Sequence, residues 1–282
     1  MALKGKKPQP KDRRLKLFMY GEAGVGKTTA ACQLPKPYII DTERGTDNYA
    51  DLIDGVGGSV FQSIDSDEII DEVRSLRSEK HDFRTLVLDS LTPFYFDLLE
   101  KSEAKVGSEY GRHYGEANKV MRRLVNLIME LDMNVVITAH SKPVYGDDMK
   151  VLSVTFDGWK KLDYIFDLVL ELRRGSPTQR YARIVKTRIE PYPDGESLEW
   201  TREALGERYN LKDMERSVVT VKVATPEQVK EIKMLTGMMT DGTEFVGKCL
   251  SKAGVDSLTD LTTEQATKMV AHFTKTIGGL HV

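Results

Sequence analysis

The 282-residue chain predicts an α/β fold, a mainly parallel sheet covered by helices on both faces, followed by a small all-helical domain. Short apolar strands alternate with helical segments through the first 190 or so residues, the pattern of strands buried on both sides. A G-x-x-x-x-G-K-T loop, Gly21 to Thr28, joins the first strand to the first helix. Beyond residue 224, two Thr-x-x-Gln capping boxes open helices.

The elements follow in order. Leu15-Lys16-Leu17-Phe18-Met19-Tyr20 is dense in apolar side chains and reads as a strand. Thr29-Ala30-Ala31-Cys32-Gln33-Leu34 favours helix until Pro35 and Pro37 stop it, and Tyr38-Ile39-Ile40-Asp41 is a second short strand. Thr85 to Asp89 and Asn134 to Ala139 are the third and fourth. Val120, Leu124, Leu127, Ile128 and Leu131, between them, mark one face of a long amphipathic helix. From His140 to Gly158 no periodicity is strong, and the stretch is as long as ordered loops usually get, so it reads as a functional loop. Tyr164 to Leu172 and Tyr181 to Thr187 read as late strands, and Pro191, Pro193 and Asp194-Gly195 as turns of a closing hairpin.

Residues 15–200 therefore form the predicted core, with 1–14 as a basic arm before it. Residues 201–224 are charged and irregular, and read as a linker or peripheral segment. Thr225-Pro226-Glu227-Gln228 then opens a helix with a capping box and a proline at its first position. Thr262 to Gln265 repeats the box ahead of Ala266, Met269, Val270 and Phe273. Phe245, Val246, Cys249 and Leu250 form a stripe between the two, ended by Gly254. About three helices fill 225–282.

Composition narrows the function classes. Hydrophobic residues make up 40% and charged residues 30%, enough apolar content for a sizeable core. No run approaches the ~18 apolar residues of a membrane helix, and the N-terminal charges precede no apolar segment of a secretory signal. Two cysteines cannot build a disulfide framework, so a reducing cytoplasm is expected. The net charge of −2 excludes binding to nucleic acid by bulk charge. One local excess exists: Lys4, Lys6, Lys7, Lys11, Arg13, Arg14 and Lys16 stand against Asp12 alone in the first 16 residues. It reads either as a solvated arm or as one that contacts phosphates or a neighbouring subunit.

The loop carries the chemistry. Gly21, Glu22, Ala23, Gly24, Val25 and Gly26 allow successive backbone N–H groups to turn toward a phosphate chain, with the helix N-terminus behind them. Lys27 reaches the outer phosphates and the Thr28 hydroxyl suits magnesium; Thr29 belongs to the same nucleotide-binding set. ATP and Mg2+ are the expected ligands. Asp89 ends an apolar strand, where an acid can hold the magnesium; it could instead cap the helix that follows. Glu43, in Asp41-Thr42-Glu43 at the end of the second strand, is placed to polarise the water that attacks the γ-phosphate.

The succession GEAGVGKT, IIDTE, LVLDS and VVITAH resembles the RecA-type recombination ATPases. More closely it resembles the phage-encoded RecA-like single-strand-annealing ATPases, over about residues 15–190. The resemblance implies a three-layer RecA-like core and makes Glu43 the hydrolytic base. It places an acid and a tyrosine, here Asp47 and Tyr49, against the adenine. A glutamine usually ends the fourth strand and senses the γ-phosphate, and His140 stands at that position here. Two basic residues on a late strand, here Lys186 and Arg188, reach the neighbouring subunit's γ-phosphate. On a strand both project to the same side.

The implied protein is a Mg-dependent ATPase of recombination type. It binds single-stranded DNA, promotes annealing or strand pairing, and hydrolyses ATP between subunits of a ring or filament. A single-strand-binding protein is a possible partner for the C-terminal helices. The implied location is the cytoplasm, the host's if the chain is phage-encoded. DNA contacts would fall in 140–158, where Lys142 and Lys150 are offset by Asp147, Asp148 and Asp157, and where Tyr145, Phe156 and Trp159 could stack on bases. Two other readings stay open. One is a RecA-like motor or loader accessory to a replicative helicase. The other is a small-molecule phosphotransferase, which would need an arginine-rich lid that is not evident.

Overall fold

The computed structural model describes residues 14–176 and 179–278. They form two compact units, one from 14–62, 82–92 and 133–218, the other from 63–81, 93–132 and 219–278.

The first unit holds nine strands among the described residues. These are β1 (Lys16–Gly21), β2 (Pro37–Asp41), β3 (Ser59–Gln62), β4 (Thr85–Asp89), β5 (Asn134–Tyr145), β6 (Val151–Asp157), β7 (Leu168–Arg174), β8 (Arg180–Thr187) and β9 (Ser197–Glu199). The sheet order is β3-β2-β4-β5-β1-β7-β8-β9, with β6 paired to β5. β3, β2, β4, β5, β1 and β7 run parallel; β6 pairs antiparallel with β5, β8 with β7 and β9 with β8. The α/β class with a mainly parallel sheet is therefore observed.

Strand burial explains why this part could be read from the chain. β1, β4 and the first six residues of β5 are buried on both faces, so their sequences are almost continuously apolar. Leu17, Met19, Ile39, Val87, Val136, Leu168 and Leu170 share one core. Into it pack α1 (Lys27–Cys32) and α2 (Ala50–Gly55) through Ala31, Cys32 and Ile53. α7 (Arg202–Tyr209) and α8 (Leu211–Glu215) join the same core through Leu205 and Met214.

The segment read as a linker or peripheral segment, 201–224, contains two short helices. Thr201 and Asn210 cap them, their side chains accepting from Ala204 N and Lys212 N. Among the described side chains, Leu205 and Met214 are the buried apolar anchors, one in each helix, which leaves no periodic signal. Arg14 and Lys16, read with the basic arm, are buried. Arg14 donates to the carbonyls of Asp213, Arg216 and Ser217, and Lys16 to that of Met133. The rest of the arm, 1–13, lies outside the described residues.

Two further differences concern the late strands. The expected loop 140–158 is mostly a β-hairpin: β5 runs on past the end of β1 and pairs with β6 from His140↔Asp157 to Tyr145↔Val151. The strand expected from Tyr164 begins at Leu168. Before it, Leu162–Ile165 makes the helical turn α6, closed by Phe166 N on Leu162 O at 3.2 Å.

The second unit contains α3 (Ser66–Ser78), α4 (Leu91–Val106, of which 93–106 fall here), α5 (Arg112–Glu130), α9 (Pro226–Gly237), α10 (Gly242–Ala253) and α11 (Thr263–Gly278). Both capping boxes form. Thr225 and Gln228 bond reciprocally, as do Thr262 and Gln265. Ile232, Leu261, Ala266 and Phe273 centre the core of the last three helices. A buried acid ties these helices to α3 and α5. Asp260, 1% exposed, takes Arg74 Nε at 2.7 Å and Arg123 Nε at 3.1 Å on its carboxylate. Its carbonyl accepts from Arg77 at 2.7 Å, and Arg77 also pairs with Glu130.

Candidate nucleotide site

Strand register assembles the site. Gly21 lies beside His140, and Asp41 beside Asp89, so the ends of β1, β2 and β4 meet at one edge beside the middle of β5. Ligands of open α/β sheets sit at that carboxyl edge. The loop leaves β1 at Gly21, where a Cβ would come within 2.6 Å of Leu172 O; only glycine lets β7 approach so closely. Gly26, at φ +99°, holds the left-handed turn that starts α1.

Lys27 is buried, and its ammonium donates to Gly21 O at 2.8 Å and Glu22 O at 2.9 Å. Burial lowers its pKa, while the charges of Asp89 and Glu43 oppose that shift. Thr28 Oγ1 donates to Asp89 Oδ2 at 2.6 Å, and Thr138 Oγ1 donates to the other carboxylate oxygen. Burial raises the Asp89 pKa, and the two hydroxyls act against the rise. The Thr28 hydroxyl and Asp89 carboxylate offer adjacent hard oxygen donors, a set that fits Mg2+.

Glu43 stands beside this pair. Its Oε1 accepts from Ser90 Oγ at 2.5 Å and from His140 Nε2 at 2.6 Å. Its Oε2 has no hydrogen bond among the described residues, and the side chain is partly open to water. The turn that presents Glu43 is built on Asp41, which is buried. The Asp41 carboxylate accepts from Glu43 N, Gly45 N, Thr46 N and Thr46 Oγ1 at 2.6–3.2 Å. Burial alone would raise the Asp41 pKa; the bonds from Thr46, Glu43 and Gly45 outweigh it and hold the group below its ordinary value. Thr42 then clips β2 to β4. Its hydroxyl donates to Ser90 O at 2.7 Å and accepts from Ser90 N at 2.9 Å.

The structure thus brings Lys27, Thr28, Glu43, Asp89 and His140 together. Tyr49 is close as well, its hydroxyl 3.2 Å from Thr29 Oγ1. Asp47 is not: it accepts from Gln62 and lines a cleft with Ala50, Ile53 and Gly58 that contains no loop residue. Lys186 and Arg188 lie at the other end of the sheet, since Thr187 is beside Leu168 whereas the loop is beside Leu172. Lys186 donates to Phe166 O at 2.5 Å, and Arg188 to Tyr164 O at 2.8 Å and Ile165 O at 3.4 Å, closing α6.

Of the aromatics expected to stack, Phe156 and Trp159 are buried and Tyr145 is exposed. Sequence reasoning missed Ser90, Thr138 and Arg174. The last of these, at the end of β7, donates to Gly24 O at 3.0 Å. Serine and threonine are too common to signal a role, and strand register alone brings these residues to the loop.

A family model described as an AAA domain matches residues 13–193. No curated protein matches the chain at a significant level.

Proposed function

Because the chain belongs to the AAA domain family, whose P-loop serves nucleotide binding and hydrolysis, we propose that it is a Mg-ATP-dependent ATPase of RecA-like recombination type that acts on single-stranded DNA. The observation that carries the hydrolytic half is the placing of Glu43. One carboxylate oxygen is fixed by Ser90 and His140, and the other is left for water. Glu43 takes a proton from the attacking water; His140, on β5, couples the state of the γ-phosphate to the strand end. Lys27 binds the outer phosphates, and Thr28 with Asp89 would hold Mg2+. When bound, that ion neutralises charge on the phosphate oxygens.

The DNA half is supported by the motif order that resembles RecA-type recombinases and by exposed aromatic side chains. Tyr145 on the β5–β6 hairpin is exposed, and Tyr110, 98% exposed, sits with Tyr114 near Arg112 at the start of α5. Aromatic faces stack on bases of any sequence. The homo-oligomer with active sites shared between neighbours, ring or filament, belongs to the same proposal.

The hairpin favours a second reading, a motor or loader bound to a replicative helicase. Lys142 and Lys150 are neutralised by Asp157 and Asp148, while Val151 and the 70%-exposed Leu152 offer an apolar protein contact. Steady-state ATPase assays separate the readings. Stimulation by single-stranded DNA, abolished in Glu43→Gln, supports the recombination ATPase. Stimulation by a helicase but not by DNA supports the second. Activity moved by neither partner, with a small-molecule phosphate acceptor consumed, would leave a phosphotransferase.

A further inference from the structure

A cleft of about 630 Å³ opens from the phosphate loop beside α1. Gly24, Gly26 and Thr29 form its loop side, and Arg180, Trp200 and Glu203 face them. Leu34, Leu52 and Val56 add an apolar wall. The volume falls within the ~300–1,000 Å³ usual for small-molecule pockets.

Trp200 is the distinctive group there. Its backbone N is held by Arg180 O at 2.8 Å, which continues the β8–β9 pairing to the residue just before Thr201, the cap of α7. Its indole Nε1 is buried and carries no hydrogen bond among the described residues. The indole lends the cleft a broad apolar face, which suits a flat heteroaromatic ring. The cleft that contains Asp47 has no wall in common with the loop.

We propose that this cleft takes the nucleoside end of the nucleotide, with Trp200 as its recognition residue. The indole packs against the base. Glu203 accepts from an amino or hydroxyl group. Arg180 closes the far side from β8, where its guanidinium is braced on Ser176 O and Gln179 O, both at 3.0 Å. The inference rests on the ATPase reading for the phosphate chain in the loop and adds where the base goes.

Photolabelling of the full-length protein with 8-azido-ATP and Mg2+, followed by peptide mapping, tests it without a mutation. Label in the peptide spanning 198–205 is expected. Label in 58–62, on the wall of the Asp47 cleft alone, or at no defined peptide, would overturn the proposal. Equilibrium binding of ADP and of inorganic tripolyphosphate to Trp200→Ala gives a second measure. ADP affinity should fall roughly 5- to 150-fold, the range of a lost base–aromatic stack, with tripolyphosphate binding unchanged. Equal losses for both probes, or no loss for either, would count against Trp200 as the base contact. Lys27→Ala should lose both probes. If Lys27→Ala keeps both, the loop assignment itself fails, which is a different result from failure at Trp200.

Discussion

His140 Nε2 and Glu43 Oε1 lie 2.6 Å apart, joining the middle of β5 to the turn after β2 across 97 positions of sequence. The same oxygen accepts from Ser90 Oγ, just past β4, so residues from three neighbouring strands converge on one carboxylate. On the proposed reading His140 stands where the RecA resemblance places a γ-phosphate-sensing glutamine, and both side chains can donate an N–H.

His140→Gln should retain most ATPase activity, because it keeps a donor near Glu43. His140→Ala should lower kcat by roughly 10- to 100-fold, the usual effect of a slightly misplaced catalytic group. Steady-state turnover with saturating Mg-ATP measures both. Equal rates for His140→Ala and wild type would mean that the contact has no part in hydrolysis.

Glu43→Gln should bind ATP and hydrolyse it ~10²- to 10⁴-fold more slowly, the range of a lost general base. Lys27→Ala should lose binding as well. Nucleotide affinity and single-turnover rates distinguish the two.

Thr138→Val tests the setting of Asp89. Burial already raises that carboxyl's pKa, and the Thr138 hydroxyl favours its ionised form. Without the hydroxyl the pKa rises further, so a larger fraction is protonated at any given acidic pH. The acid limb of the kcat/KM profile should move to higher pH. A profile that coincides with wild type would remove Asp89 from the ionisations that matter.

Asp41→Asn should cost about 2–4 kcal/mol, because an amide cannot accept all the bonds the buried carboxylate receives. The folded pKa of Asp41 is depressed. Its contribution is therefore complete above the unfolded value of ~3.9 and is lost as pH falls through the lower folded value. Chemical denaturation between pH 6 and 2 should show a shallower acid loss in Asp41→Asn than in wild type.

Lys186 and Arg188 are far from the loop of their own chain, so any part they play in hydrolysis must be in a neighbour. Mixing inactive Lys27→Ala with inactive Arg188→Ala should restore up to about a quarter of wild-type activity at equal ratio, the share of head-to-tail junctions with two intact halves. No recovery under conditions where the chains co-assemble would leave the pair as the closure of α6.

What could be read in advance follows from how the chain buries its residues. β1, β2, β4 and the first half of β5 are continuous apolar runs between turn residues, and the loop motif sits between a strand and a helix, so the chemistry at Lys27, Thr28, Glu43 and Asp89 was accessible locally. The β5–β6 hairpin was not, because Val144, Val151, Leu152 and Val154 are all exposed and leave no alternation of buried and open positions. β3 has four residues and is half exposed. α7 and α8 hang on Leu205 and Met214. Ser90, Thr138 and Trp200 depend on register and on long-range folding, which no window of sequence contains.

The Asp260 cluster has a consequence for inheritance. Its acid comes from the C-terminal segment, and its arginines, Arg74, Arg77 and Arg123, come from stretches encoded much earlier. A gene rearrangement that replaced everything after residue 218 would take from Arg74 and Arg123 the buried carboxylate they share, leaving Asp71 to Arg74 and Glu130 to Arg77. The opposite exchange would bury a carboxylate with nothing to neutralise it. The two parts are therefore bound to descend together, and lineages that change one must change the other in step.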